Sequence, residues 1–227
     1  MQRKLTVIFS ADIVGYSGLM ERDEAGTLDR LKANRKTVFD PCVAKHGGRI
    51  FKLMGDGALV EFASVVSAVN CAHEMQQANG AESSAPESER LRYRIGINLG
   101  EVVVEGDDIY GDGVNVAARL QELAEPGGIA LSRTVRDQIV GKVPAEFVDI
   151  GEHQVKNIAR PLHVFALRTA STREPTTATA PQRQRLSICA RKRVQAPYSF
   201  RARRRTRARR SESESDGKYA AAYLNQN

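Results

Sequence analysis

Arg49-Ile50-Phe51-Lys52-Leu53-Met54-Gly55-Asp56-Gly57-Ala58-Leu59-Val60-Glu61-Phe62 is the stretch on which the reading of the architecture turns. Two strand-like runs, residues 49–54 and 58–62, flank Gly55-Asp56-Gly57. Glycine tolerates a positive φ, so this triplet between apolar runs signals a tight hairpin. Upstream, residues 5–9 are short and apolar and read as a buried strand. Between them, residues 17–45 carry Leu28, Leu31, Val38 and Phe39 at helical spacing and predict one long helix, stopped by Gly47-Gly48. Downstream, Ser64 is a natural N-cap for a helix over 64–79. Residues 80–90 form a polar loop, and strands follow at 93–99 and 101–104. A helix opens at Asp112 or Gly113 and ends before Pro126-Gly127-Gly128. A strand at 129–131, a helix over 134–142 and strands near 147–150 and 162–167 complete the body. Strand, helix, hairpin, helix, strand predicts an α+β fold. The simplest plan is a ferredoxin-like, palm-type βαββαβ sheet with helices on one face, plus a C-terminal extension of strands and a helix.

The body ends near residue 168. Ser171-Thr172-Arg173-Glu174-Pro175-Thr176-Thr177 opens a linker, and seven of residues 201–210 are arginine. Residues 1–168 therefore read as one catalytic-sized domain and 169–227 as a basic tail expected to be disordered. The net charge of +7 divides unevenly. Residues 171–227 hold 14 Lys/Arg against 4 Asp/Glu, leaving 20 against 23 in the body. The body is thus mildly acidic, which argues against a nucleic-acid surface as its purpose, while the tail could bind polyanions. Cys42, Cys71 and Cys189 are widely spaced in the sequence, which argues against a disulfide framework or a zinc site and fits a reducing compartment. The opening apolar run is too short for a signal peptide, and no stretch approaches a membrane span, so a cytoplasmic location is expected.

Three segments carry candidate chemistry. Asp12 follows the first strand in Phe9-Ser10-Ala11-Asp12-Ile13-Val14-Gly15-Tyr16-Ser17. A carboxylate there can hold a hard cation, and the N–H groups of the turn through Val14, Gly15 and Tyr16 favour phosphate. The same aspartate would also serve as a helix N-cap. Asp56 at the hairpin tip is equally at home in an ordinary turn. In a βαββ arrangement, however, the first strand lies beside the hairpin, so Asp12 and Asp56 could reach one point. Paired carboxylates with phosphate as co-ligand are the usual way magnesium is held for phosphoryl chemistry. The third segment is Asp108-Ile109-Tyr110-Gly111-Asp112-Gly113-Val114-Asn115-Val116-Ala117-Ala118-Arg119. Asn115 and Arg119 are four apart and share a helix face, while Val116, Leu120 and Leu123 mark a core-facing stripe. Such a polar pair is either a solvated face or a donor and cation aimed at a ribose or phosphate.

Taken in order, these three motifs resemble the class III adenylate/guanylate cyclase catalytic domain, from about Lys4 to Leu167. The resemblance implies that Asp12 and Asp56, with the carbonyl of Ile13, bind two divalent cations, Mg²⁺ or Mn²⁺. It implies that Lys52 and Asp108 read the adenine ring, that Asn115 orients the ribose and that Arg119 stabilises the transition state. Lys156, in Gln154-Val155-Lys156-Asn157, matches the lysine that grips the triphosphate. The reaction implied is ATP to 3′,5′-cyclic AMP and pyrophosphate, at sites shared across a homodimer. The segment from Gly100 to Asp108 is shorter than the dimer-clasping arm of animal-type members and resembles some bacterial ones.

Two other functional classes stay open at this point. A guanylate cyclase would share the plan, although a lysine donor and a carboxylate acceptor match adenine N1 and N6 and mismatch guanine. A silent regulatory module, or a tether acting through the arginine-rich tail, would need no chemistry. A diguanylate cyclase is excluded by the lack of a Gly-Gly-Asp-Glu-Phe turn.

Overall fold

The computed structural model describes residues 1–81, 90–156, 158 and 160–168; the proposed basic tail and most of the 80–90 loop lie outside these. In chain order the elements are β1 (Gln2–Ile13), α1 (Tyr16–Arg22), α2 (Glu24–Asn34), a π-helical turn (Arg35–Phe39) and α3 (Asp40–Lys45). The hairpin β2 (Arg49–Met54) and β3 (Gly57–Phe62) follows, then α4 (Val65–Ala81), β4 (Tyr93–Glu105) and β5 (Asp108–Tyr110). The domain closes with α5 (Asp112–Leu123), β6 (Ile129–Ser132), α6 (Arg133–Ile139), β7 (Glu146–His153) and β8 (Leu162–Arg168). The strands form one sheet in the order β2-β3-β1-β4-β6-β8-β7, with β5 paired to β4. β1 lies between the hairpin and β4, antiparallel to both, so its C-terminal end runs beside the hairpin turn. The expected α+β class and strand plan are therefore the observed ones, with α1–α4 and α6 on one face.

Alternation along the strands distributes the core. Val7, Phe9 and Ala11 of β1 and Ile95 and Ile97 of β4 belong to the large cluster with Phe39, Val43, Val69, Met75, Val135 and Ile139. That face is covered by the helices running from Tyr16 to Ala81 and by α6. Ile8 and Val102 belong to a separate cluster with Ala117 of α5. Leu120 anchors a third, with Val116 and Leu123 packed against it as their spacing predicted. α5 thus lies across the opposite face of the sheet.

Gly96 is what lets α5 approach so closely. A Cβ there would stand 2.2 Å from the Gln121 nitrogen and 2.3 Å from the Ala117 carbonyl oxygen. Both obstacles are helix backbone and cannot rotate away. Gly96→Ala should therefore push α5 off the sheet and cost about 1–3 kcal/mol, the usual range for overpacking. A chemical-denaturation midpoint equal to wild type would show that the helix seats without this contact.

Several elements differ from the sequence reading. The single helix over 17–45 is broken at Asp23, which adopts φ −156° and caps α2 by accepting from the Gly26 N–H at 2.9 Å. A short acidic side chain that satisfies an orphan helix donor outcompetes continued propagation. The π turn precedes Pro41, whose missing N–H removes the next regular helical bond. The two strands at 93–99 and 101–104 are one strand, β4, because Gly100 keeps its place in the ladder opposite Thr6. β1 is longer than residues 5–9. Its charged start is paired, Lys4 to Glu61 at 2.5 Å and Arg3 to Glu101 at 3.4 Å, and Leu5 is exposed rather than buried. α6 stops at Ile139, three residues early. Ser64 caps α4 as expected, its hydroxyl accepting from the Ser67 N–H at 3.3 Å.

Candidate active site

The hairpin turn brings Asp56 to the end of β1. Gly55 takes φ +62°, a left-handed conformation that reverses the chain without side-chain strain. One Asp56 carboxylate oxygen then accepts from the Ile13 N–H at 3.1 Å. Asp12 is the neighbour of Ile13 in β1, so both carboxylates meet about one peptide unit. Burial pushes Asp56 above the ordinary carboxylate range; the Ile13 hydrogen bond opposes this and the nearby Asp12 charge adds to it.

Asp12 already has a cation. Arg94, its register partner on β4, grips it bidentately, Nε to Oδ1 at 3.1 Å and Nη2 to Oδ2 at 2.8 Å. Both side chains are a little over a quarter exposed, at 27% and 29%. Planar forks of this kind are the strong form of ion pair. The pairing to Asp12 raises the Arg94 pKa above its already high ordinary value. The sequence reading passed over Arg94. Its one signal was a charged residue in the otherwise apolar strand run that begins at Tyr93, and only the β1–β4 register reveals its partner.

A second cluster forms where β5 meets β2. The Lys52 ammonium lies 5.6 Å from the centroid of the Tyr110 ring, and the Tyr110 hydroxyl donates to Asp108 at 2.8 Å. The two predicted base-reading residues are thus joined through Tyr110, which the sequence reading did not single out. Accepting that hydrogen bond, Asp108 raises the Tyr110 pKa. Arg49 fastens the same corner by donating to the Asp107 carbonyl at 3.1 Å. β4 and β5 are joined by a two-residue turn at Gly106-Asp107, so the arm is as short as its sequence indicated.

Asn115 is exposed on α5, one turn before Arg119, which is half-buried and paired with Glu122. Val14 donates its N–H to the Arg92 carbonyl at 2.9 Å, and Gly15 turns left-handed into α1, placing Tyr16 at the helix start. α1 is only seven residues long, so the turn's own N–H groups, more than a helix dipole, are what an anion would meet. Lys156 is exposed between β7 and β8. Among the described residues, no hydrogen bond, ion pair or ring contact joins the Asp12–Asp56–Arg94 group to Lys52, Asp108, Asn115 or Lys156.

The carboxylate pair suits divalent cations on the chemistry of its donors. Two carboxylates and the Ile13 carbonyl at one strand end offer hard oxygen donors, the type magnesium and manganese accept. The Arg94 guanidinium engages both Asp12 oxygens, so a cation binding Asp12 would have to displace it.

Comparison with known proteins gives one consistent family. Residues 1–169 match the model described as the adenylate and guanylate cyclase catalytic domain. A Rhizobium meliloti protein named "Putative adenylate cyclase 3" is 48% identical over 182 residues, covering 79% of this chain and 31% of that protein. The chain spans less than half the length of the curated relatives it matches first. Among solved structures, an adenylate/guanylate cyclase/hydrolase from Silicibacter pomeroyi is 46% identical with a TM-score of 0.70, over 73% of this chain and 97% of that one. The adenylyl cyclase CyaB from P. aeruginosa is 28% identical with a TM-score of 0.62, over 74% and 96%.

Proposed function

The chain belongs to the adenylate and guanylate cyclase catalytic-domain family, and from that premise we propose that it is an adenylate cyclase, converting ATP to 3′,5′-cyclic AMP and pyrophosphate as a homodimer. The observation that supports this reading is the Asp56 hydrogen bond to the Ile13 N–H, which sets Asp56 beside Asp12. The catalytic domain on this reading is residues 1–168, with 169–227 a basic appendage able to bind polyanions.

The reaction is an in-line attack of the ribose 3′-oxygen on the α-phosphorus. The new P–O bond closes the ring, the bond to the β-phosphate oxygen breaks, and the hydroxyl proton leaves to solvent. Asp12, Asp56 and the Ile13 carbonyl would hold two divalent cations, which when bound would lower the hydroxyl pKa and offset charge on the phosphate oxygens. Arg94, the partner of Asp12, is a guanidinium beside the pair and can donate to a phosphate oxygen. The turn through Val14, Gly15 and Tyr16 presents N–H donors to the phosphates. Asn115 orients the ribose, Arg119 offsets the charge growing on the α-phosphoryl group, and Lys156 holds the triphosphate tail. On the same reading, Lys52, Asp108, Asn115, Arg119 and Lys156 of one subunit complete the Asp12–Asp56 pair of another.

Base choice follows from Lys52 and Asp108. A protonated lysine donates to adenine N1, and the Asp108 oxygen not engaged by Tyr110 accepts from N6. Guanine reverses both directions and leaves polar groups unpaired. Purified protein with Mg²⁺ or Mn²⁺ should make cyclic AMP from ATP with a far higher kcat/KM than cyclic GMP from GTP, read by chromatography. Replacing Lys52 by Glu and Asp108 by Cys together should erode that preference. Equal kcat/KM for both nucleotides would remove the adenine assignment, and no cyclic product from either would remove the enzyme.

A further inference from the structure

Away from the cleft, the seam between α3 and α4 gathers a second set of metal-binding groups. Cys42 and His46 stand four apart at the end of α3, on one face, and Cys71 and Glu74 stand three apart on α4. Ligand atoms of Cys42, His46 and Glu74 all lie within 4.8 Å of one another. The Cys42 side chain is buried, as is that of Cys71 behind it. The Cys71 thiol donates to the Cys42 sulfur at 3.6 Å. His46 Nε2 and Glu74 Oε2 are 2.9 Å apart. A cavity of about 170 Å³ opens onto Cys42 and Glu74, with Val38, Pro41 and Met75 in its wall.

We propose that Cys42, His46 and Glu74 form a binding site for a zinc-like divalent cation that fastens α3 to α4, distinct from the all-oxygen Asp12–Asp56 pair. Sulfur, nitrogen and oxygen ligands bind zinc at about 2.0–2.3 Å, which sets them roughly 3–4 Å apart on a tetrahedron. Donors already within 4.8 Å reach that spacing by small side-chain adjustments. The cavity supplies room for a water as fourth ligand. Cys71 is a positioning residue: its S–H donates to the Cys42 sulfur, while its carbonyl accepts from the Cys42 thiol at 3.4 Å, a bond that gives way when the metal binds. On binding, the Cys42 proton passes to solvent and His46 contributes a neutral ring nitrogen. Thiolate and imidazole favour zinc over magnesium, so the site does not compete for the cations of the catalytic pair. Lys45, whose ammonium holds both Glu74 oxygens at 2.7 and 2.9 Å from the solvent side, is the built-in competitor. The sequence reading set zinc aside because no two cysteines are close in the chain. The helices supply the proximity that spacing lacks.

The test uses the full chain, reduced and stripped of metal, titrated with Co²⁺ as a coloured substitute for zinc. One equivalent should produce a sulfur-to-cobalt charge-transfer band, abolished by Zn²⁺ and untouched by Mg²⁺. Cys42→Ser should lose the band, while Asp56→Ala and Cys189→Ser should keep it. His46→Gln alters a side chain at the helix end and should weaken binding at least about tenfold without unfolding the domain. Lys45→Met should tighten binding. A wild-type spectrum without the sulfur band overturns the proposal. So does a band that survives Cys42→Ser, one that disappears in Asp56→Ala, or affinity unchanged in His46→Gln.

Discussion

Asp56→Ala is expected to lower kcat for cyclisation by at least about 100-fold, the scale on which loss of one preorganised charge-stabilising group is felt. The folded state should barely register the change. The carboxylate accepts from the Ile13 N–H, a bond worth about 1 kcal/mol net. Against that, truncation relieves a partly buried charge held close to Asp12, the pressure that raises its pKa. The hairpin itself rests on the β2–β3 ladder and the left-handed Gly55, neither of which involves the side chain. Thermal unfolding and steady-state kinetics on the same preparation separate the two effects. Retention of more than about a tenth of the wild-type rate with an unchanged melting temperature would mean that Asp56 holds no catalytic cation.

Two inactive variants should also rescue each other. Asp56→Ala damages only the cation-binding half of a site, and Arg119→Ala only the half that answers charge on the α-phosphoryl group. In either homodimer both sites are broken. In the heterodimer one site collects both lesions and the other collects none. Random exchange makes about half the dimers mixed, each with one working site of two, so mixing should restore roughly a quarter of wild-type activity. Mass spectrometry under native conditions reports whether heterodimers form. Mixed dimers without recovered activity would place every catalytic group of a site on one chain.

Much of this molecule is written locally. The hairpin at Gly55-Asp56-Gly57 follows from glycine's freedom and flanking apolar runs, and α5 follows from the spacing of Val116, Leu120 and Leu123. Ser64 announces α4. What escaped the sequence depends on competition or on distance. The helix break at Asp23 is a contest between capping and propagation that periodicity does not score. β5 is three residues long, too short for any pattern, and exists because β4 offers it an edge. Arg94 meets Asp12 through strand register alone. Lys52 and Asp108 were singled out by resemblance, yet the Tyr110 ring that joins them emerges only when β5 folds back beside β2. The Cys42–His46–Glu74 cluster joins two helices whose sequence separation concealed it.

The placement of β1 has a kinetic consequence. This strand is the spine of the sheet, yet every partner it has comes later in the chain, and its longest ladder is with β4, on the far side of the hairpin and α4. Forming that ladder means closing a large loop, whose entropy is lost before packing of the Phe9 and Ile97 side chains offsets it. Refolding should accordingly be slow for the domain's size. Until the β1–β4 ladder forms, the apolar run through Val7, Ile8 and Phe9 is an open edge, the segment of the nascent polypeptide most in need of chaperone cover.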